Sequence, residues 1–130
     1  MATHEGSCHC GKIAFTLEGE VGEAMDCNCS LCRRRGGLLA FFPREALSLK
    51  TPEADMGTYT LKSHRLQHHF CPTCGSTVYW TSESFPGFVV VAIGNFADPD
   101  FPAPTIAVWE ESRHDWVSPP LEAKRFDRQG

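Results

Sequence analysis

The sequence predicts a mainly-β chain with at most short helices, on three observations. Short runs alternate apolar with polar residues, or concentrate β-branched and aromatic ones. Nine prolines and eleven glycines punctuate these runs and leave little room for a long helix. Seven cysteines stand in three tight groups, so metal ions can staple the strands together.

The elements follow in chain order. Ile13 to Glu18 alternates and reads as a strand. A short helix is expected from Ser30 into Arg35, with Ser30 capping its first turn and Gly36-Gly37 stopping it. A further turn starts near Pro43. Thr58 to Leu61 and Leu66 to Phe70 alternate in part, while Val78 to Trp80 and Phe88 to Ile93 carry the β-branched and aromatic residues that suit a sheet. His68 and His69 fall on opposite faces of their strand, so at most one points into a site, and both read as ordinary strand residues. Phe41, Phe42, Tyr79, Trp80, Trp109 and Trp116 read as core and pocket wall.

At 130 residues the chain is expected to form one domain, residues 1–130, with a core helped by a metal staple. Met1 to Ser7 has no apolar signal-peptide core, and the most apolar run, Phe88 to Ile93, is too short to span a bilayer. The expectation is a soluble, cytoplasmic protein with no membrane partner, its thiols reduced and available to metal. The formal net charge is −4 with every cysteine neutral. Seven thiolates, set against two divalent ions, make the loaded chain three charges more negative. No broad Lys/Arg excess exists to replace phosphate counterions, which argues against a nucleic-acid partner. The oligomeric state is not encoded in these features.

The cysteines fall as Cys8-His9-Cys10, Cys27-Asn28-Cys29-Ser30-Leu31-Cys32 and Cys71-Pro72-Thr73-Cys74. Seven thiols cannot pair off as disulfides, and a bridge between cysteines one or two residues apart closes a very small loop. Metal coordination welcomes that closeness, because one turn presents both sulfurs to one ion. Cys71 to Gly75 has the form of a zinc knuckle. Cys8 to Gly11, also followed by glycine, supplies a second pair, and the two pairs together make a closed four-thiolate site. Cys27, Cys29 and Cys32 remain, three sulfurs within six residues, leaving their ion a fourth position for water or substrate. Two zinc ions per chain are expected. A closed alternative for the second site takes its fourth ligand from His9, His64, His68, His69, His114 or Asp26.

Gly6 to Ile13, Cys27 to Arg34 with Gly36 behind it, and Phe70 to Ser76 together resemble the glutathione-dependent formaldehyde-activating enzyme family, also called the CENP-V/GFA domain. Gly94-Asn95-Phe96, Pro104-Thr105-Ile106 and Ser112 to Trp116 resemble its C-terminal segment. The resemblance implies an Mss4-like fold of small antiparallel sheets stapled by zinc. It also implies a structural zinc on Cys8, Cys10, Cys71 and Cys74, and a catalytic zinc on Cys27, Cys29 and Cys32. The implied activity is that of a carbon-sulfur lyase interconverting S-hydroxymethylglutathione with glutathione and formaldehyde. Two positions depart from the family pattern: Asn28 stands where a histidine is common between the first two catalytic-site cysteines, and Thr105 where one is common before the isoleucine.

The ligand set suggests the chemistry. Zinc on three thiolates carries a net charge of about −1, and its open position lowers the pKa of an arriving thiol. Arg33, Arg34 and Arg35 follow the cluster and can offset that charge or hold substrate carboxylates, with Arg33 favoured because it abuts Cys32. A small thiol such as glutathione is the expected partner. The alternative class is a non-catalytic zinc-binding interaction module, which has no need of an open coordination position.

Overall fold

The structure, a computed structural model, describes residues 3–21, 23–61, 66–96, 98, 101–120 and 122–128. Its strands are β1 (Thr3–Ser7), β2 (Ala14–Glu18), β3 (Glu23–Cys27), β4 (Leu38–Pro43), β5 (Leu47–Leu49), β6 (Gly57–Leu61), β7 (Leu66–Phe70), β8 (Thr77–Ser82), β9 (Phe88–Ala92), β10 (Ile106–Val108) and β11 (Lys124–Arg125). One helical turn, α1 (Cys32–Arg35), and short 3-10 turns complete the described chain, so the mainly-β expectation holds. No described helix is long and apolar enough to cross a membrane.

Two sheets form. The smaller runs β1-β2-β5 and is antiparallel; the larger has eight strands in the order β11-β10-β3-β4-β9-β8-β7-β6. Its pairings are antiparallel except at one end, where β10 lies parallel to both β3 and β11. That parallel end goes beyond the small antiparallel sheets expected from the sequence. Three-residue β10 is too short to show a period, so nothing in the chain announced it.

Alternation along the central strands divides the apolar residues between the two faces of the large sheet. Ala40, Phe42, Val89 and Val91 join Phe15 and Leu17 of β2 in one core, and Cys8 and Cys71 lie in that core. Leu39, Trp80 and Val90 take the other side with Met25, Val108, Cys27 and Cys32. The two cysteine groups are therefore built on opposite faces of one sheet.

The helix differs from expectation at its start. Leu31, not Ser30, occupies the cap position, and no side chain caps the turn. Cys29, one residue before Ser30, already supplies the first carbonyl: it accepts from Arg33 N–H at 2.9 Å. The stop is as expected. Gly36 takes φ 98°, a left-handed value that glycine tolerates, and donates to Cys32 O at 2.7 Å.

Candidate functional site

The loops before β2 and before β8 use one device twice. Cys8 N–H donates to Ile13 O at 2.9 Å and Gly11 N–H to Cys8 O at 3.1 Å. Cys71 N–H donates to Ser76 O at 2.9 Å and Gly75 N–H to Cys71 O at 2.8 Å. Gly11 and Gly75, with φ of 83° and 80°, make both turns possible. Backbone amides then reach the sulfurs: Ile13 N lies 3.3 Å from Cys8 Sγ and Cys74 N 3.5 Å from Cys71 Sγ.

These turns bring Cys8, Cys10, Cys71 and Cys74 together, with all four sulfurs within 4.8 Å of one another. Cys10 Sγ stands 3.7 Å from both Cys8 Sγ and Cys71 Sγ. Four sulfurs about 2.3 Å from a tetrahedral zinc are separated by about 3.8 Å, so the group fits that ion. Ser76 Oγ, 3.3 Å from Cys74 Sγ, holds the Cys74 thiol down to about 5 by hydrogen bonding to its thiolate.

Cys27, Cys29 and Cys32 also converge within 4.8 Å. Cys27 ends β3, Cys29 follows on the loop, and Cys32 opens α1. Cys27 and Cys32 are buried, whereas Cys29 is half-exposed. Hydrogen bonds from the Cys27 thiol and then the Cys32 thiol pull Cys29 down to about 2; the same bond pushes Cys27 up to about 11, and Cys32 rises as well. Hydrogen bonding from the neighbouring thiols thus favours the thiolate at half-exposed Cys29, and a divalent ion bound by the group displaces the protons of its remaining thiol ligands.

Backbone and buried charge hold this loop rigidly. Cys27 N–H donates to Gly37 O at 2.7 Å, and Asn28 N–H to Val108 O at 3.2 Å. The Asn28 side chain donates to Asp26 Oδ1 at 3.2 Å. Asp26 Oδ2 lies 3.2 Å from Arg113, which also pairs with Glu110. Asn28 is thus spent on the loop's own support. Thr105 pairs its N–H with Ala24 O, three residues and about 10 Å down β3 from Cys27.

Gly37 has a steric role. A Cβ there would lie 1.9 Å from Cys27 O and 2.8 Å from Cys32 Cβ, both fixed by the cluster. Gly37→Ala is expected to cost about 1–3 kcal/mol or more through overpacking and to weaken metal binding by the three cysteines. Chemical denaturation and metal content of the purified variant check both.

None of the alternative fourth ligands that the structure describes joins the three sulfurs. Asp26 is held by Arg113 and Asn28, and His69 Nδ1 lies 3.1 Å from Thr58 Oγ1. His114 faces Arg33, and His68 faces Arg35. His9 stays with the four-cysteine loops, its N–H 3.4 Å from Ser76 Oγ. His64 lies outside the described residues.

The arginines divide sharply. Arg33 is exposed, its guanidinium 3.5 Å from His114 Nδ1 at the rim. Arg34 is exposed too and donates to Ser30 O at 2.6 Å. Arg35, half-buried on the same helical turn as Cys32, turns inward, with its guanidinium carbon 4.9 Å over the Trp80 ring. Its Nη2 donates to His68 Nδ1 at 2.7 Å. The inward arginine is the third of the run, and His68 is no ordinary strand residue. Both were legible in principle: Arg35 is i+3 from Cys32, on the same helix face, and His68 is the cross-strand partner of Trp80.

Arg35, Gly36 and Trp80 line a cleft of about 330 Å³ together with Gly75 to Thr77, Ala92, Gly94 and Asn95. Asn95 is fixed there, its amide donating to Thr77 O at 2.7 Å and Val78 O at 3.1 Å. The sulfurs do not line the cleft themselves; Arg35, three residues after Cys32 on α1, does.

A family model described as glutathione-dependent formaldehyde-activating enzyme matches residues 3–112. A Halomonas elongata protein named after the same family is 28% identical over 135 aligned positions, covering 95% of this chain and 84% of that one. A crystal structure of a Rhodobacter sphaeroides protein matches with a TM-score of 0.65 at 24% identity, covering 94% of this chain and 98% of that one, a likeness of fold alone.

Proposed function

Because the chain belongs to the glutathione-dependent formaldehyde-activating enzyme family, we propose that it is a zinc-dependent carbon-sulfur lyase interconverting S-hydroxymethylglutathione with glutathione and formaldehyde. The observation that carries this reading is the unequal sulfur count. Four cysteines close one tetrahedron, while three form the other group and no described histidine or carboxylate completes it. In this reading Cys8, Cys10, Cys71 and Cys74 hold a structural zinc, and Cys27, Cys29 and Cys32 a catalytic one. Zinc bound there supplies an open position at which a substrate thiol ionises near neutral pH.

The chain's own residues do the rest. The Cys27–Cys32 loop is pinned by Gly37, Val108 and Asp26, which fixes the sulfurs before substrate arrives. Half-exposed Cys29 marks the accessible side of the group. Attack of substrate sulfur on the aldehyde carbon converts the carbonyl into an oxyanion, which takes a proton to give the hydroxymethyl adduct; the reverse direction removes that proton and breaks the carbon-sulfur bond. Arg35, on the same helical turn as Cys32, brings a cation to this chemistry, and exposed Arg33 meets an arriving anion.

A non-catalytic zinc module is the second reading. It is favoured by the burial of Cys27 and Cys32 and by their absence from the cleft wall.

Three measurements test these readings. Native mass spectrometry of reduced protein is expected to find two zinc ions per chain; one ion, with no second after zinc addition, overturns the allocation. Glutathione binding, followed by calorimetry in two buffers of different ionisation enthalpy, is expected to release a proton near neutral pH, since a free thiol of pKa about 8.5 must ionise to ligate. An exchange assay for formaldehyde addition should run faster with protein than without. Binding with no acceleration favours the module.

A further inference from the structure

We propose that Arg35, clamped by His68 and Trp80, is the specificity group of the site, receiving the carboxylate of a small anionic thiol seated in the adjoining cleft. The inference rests on the thiol-binding reading above and names what that reading leaves open: which part of the substrate is recognised, and by which residue.

Three observations converge. First, Arg35 is tied to both places a substrate must occupy. It shares the single turn of α1 with Cys32 of the three-sulfur group, three positions on, and forms part of the cleft wall. A ligand with its sulfur at the cysteines and its body in the cleft passes this guanidinium. Second, the group is preorganised. Trp80 lies under the guanidinium, His68 Nδ1 accepts from Nη2, and the His68 ring stacks on Trp80 with centroids 5.2 Å apart. His68 is only 5% exposed, so its ring has no freedom to turn away. For Nδ1 to accept, the imidazole must be neutral with its proton on Nε2. Third, the guanidinium has capacity to spare. Of its five N–H donors, the contact to His68 leaves others for a carboxylate, whose two oxygens match the planar fork.

The alternatives within the run are poorer. Arg33 and Arg34 are exposed, where long side chains are mobile and their charges screened by solvent. His68 is in this view a positioning residue: it does not meet substrate but holds the residue that does.

The test uses full-length, zinc-loaded protein and a matched pair of probes, 3-mercaptopropionate and its neutral amide 3-mercaptopropionamide. Cobalt-loaded protein provides a readout independent of turnover, because sulfur-to-metal absorption reports arrival of the probe's thiol. Wild type is expected to bind the carboxylate better than the amide. Arg35→Gln should weaken the carboxylate about 10- to 100-fold, the scale of a lost charge-assisted pair, and the amide less than about threefold. His68→Leu should lose the same discrimination, and His68→Asn, whose side-chain oxygen can replace Nδ1 as acceptor, should recover most of it. Equal losses for both probes in Arg35→Gln, or no preference in wild type, overturn the proposal while leaving thiol binding standing. Wild type that binds neither probe, with both metal sites loaded, overturns the thiol-binding reading and this inference with it.

Discussion

Cys71→Ser and Cys10→Ser are each expected to give insoluble or unfolded protein without bound structural zinc. The two residues are 61 positions apart, and their sulfurs meet at 3.7 Å, Cys71 buried in the core and Cys10 at its exposed edge. Structural zinc can contribute an apparent binding energy of about 10–16 kcal/mol to folding, against a total stability of about 5–15 kcal/mol for a typical domain. Removing one of four ligands therefore takes away a contribution as large as the whole margin. Soluble yield, far-UV circular dichroism and zinc per chain measure it. A Cys71→Ser protein that melts like wild type would show that the strands hold without the staple.

Cys32→Ser is expected to do the reverse: keep the fold, lose the second zinc and drop formaldehyde exchange to the uncatalysed rate. Cys32 is buried on a single helical turn whose loop is also held by Gly37, Val108 and the Asp26–Arg113 pair, so the backbone does not depend on its sulfur alone. Burying a hydroxyl in its place costs about 1–3 kcal/mol, a shift of several degrees in melting temperature. Melting curves of the two variants, read beside their metal content, give the comparison. Equal damage from Cys32→Ser and Cys71→Ser would end the division into a structural and a catalytic site.

The grouping of the cysteines was legible because ligand spacing is a local property: a turn either presents two sulfurs together or it does not. Leu66–Phe70 was legible in full, β2, β6 and β9 to within a residue, and β8 only over Val78 to Trp80 of Thr77–Ser82, because their residues repeat at the period of a strand or concentrate its favoured types. Strands β3 and β4 were not read from the chain. Glu23 to Cys27 is buried on both faces by neighbours distant in sequence, so its pattern EAMDC carries no alternation. The cap failed for a related reason. Ser30 has the right side chain, yet the loop is closed by Cys29 O and by the demand that three sulfurs meet, and propensity yields to that constraint. Arg33 was favoured by adjacency along the chain, whereas a helix pairs residues three and four apart; Arg35 shares a face with Cys32, and Arg33 does not. The buried Asp26–Arg113–Glu110 network was beyond reach, since it joins the ends of the chain across β10.

The parallel placement of β10 has a consequence for biosynthesis. Strand β3 carries the first site cysteine, and one of its backbone edges is covered by β4; the other is covered only by a segment translated some eighty residues later. Until β10 emerges, β3 shows a row of open amides and carbonyls next to three reactive sulfurs, the kind of edge onto which a second nascent chain can add. A ribosome-released fragment lacking residues beyond Thr105 would retain all seven cysteines yet have neither that covering strand nor the Arg113 anchor, and self-association through β3 is the fate its topology invites.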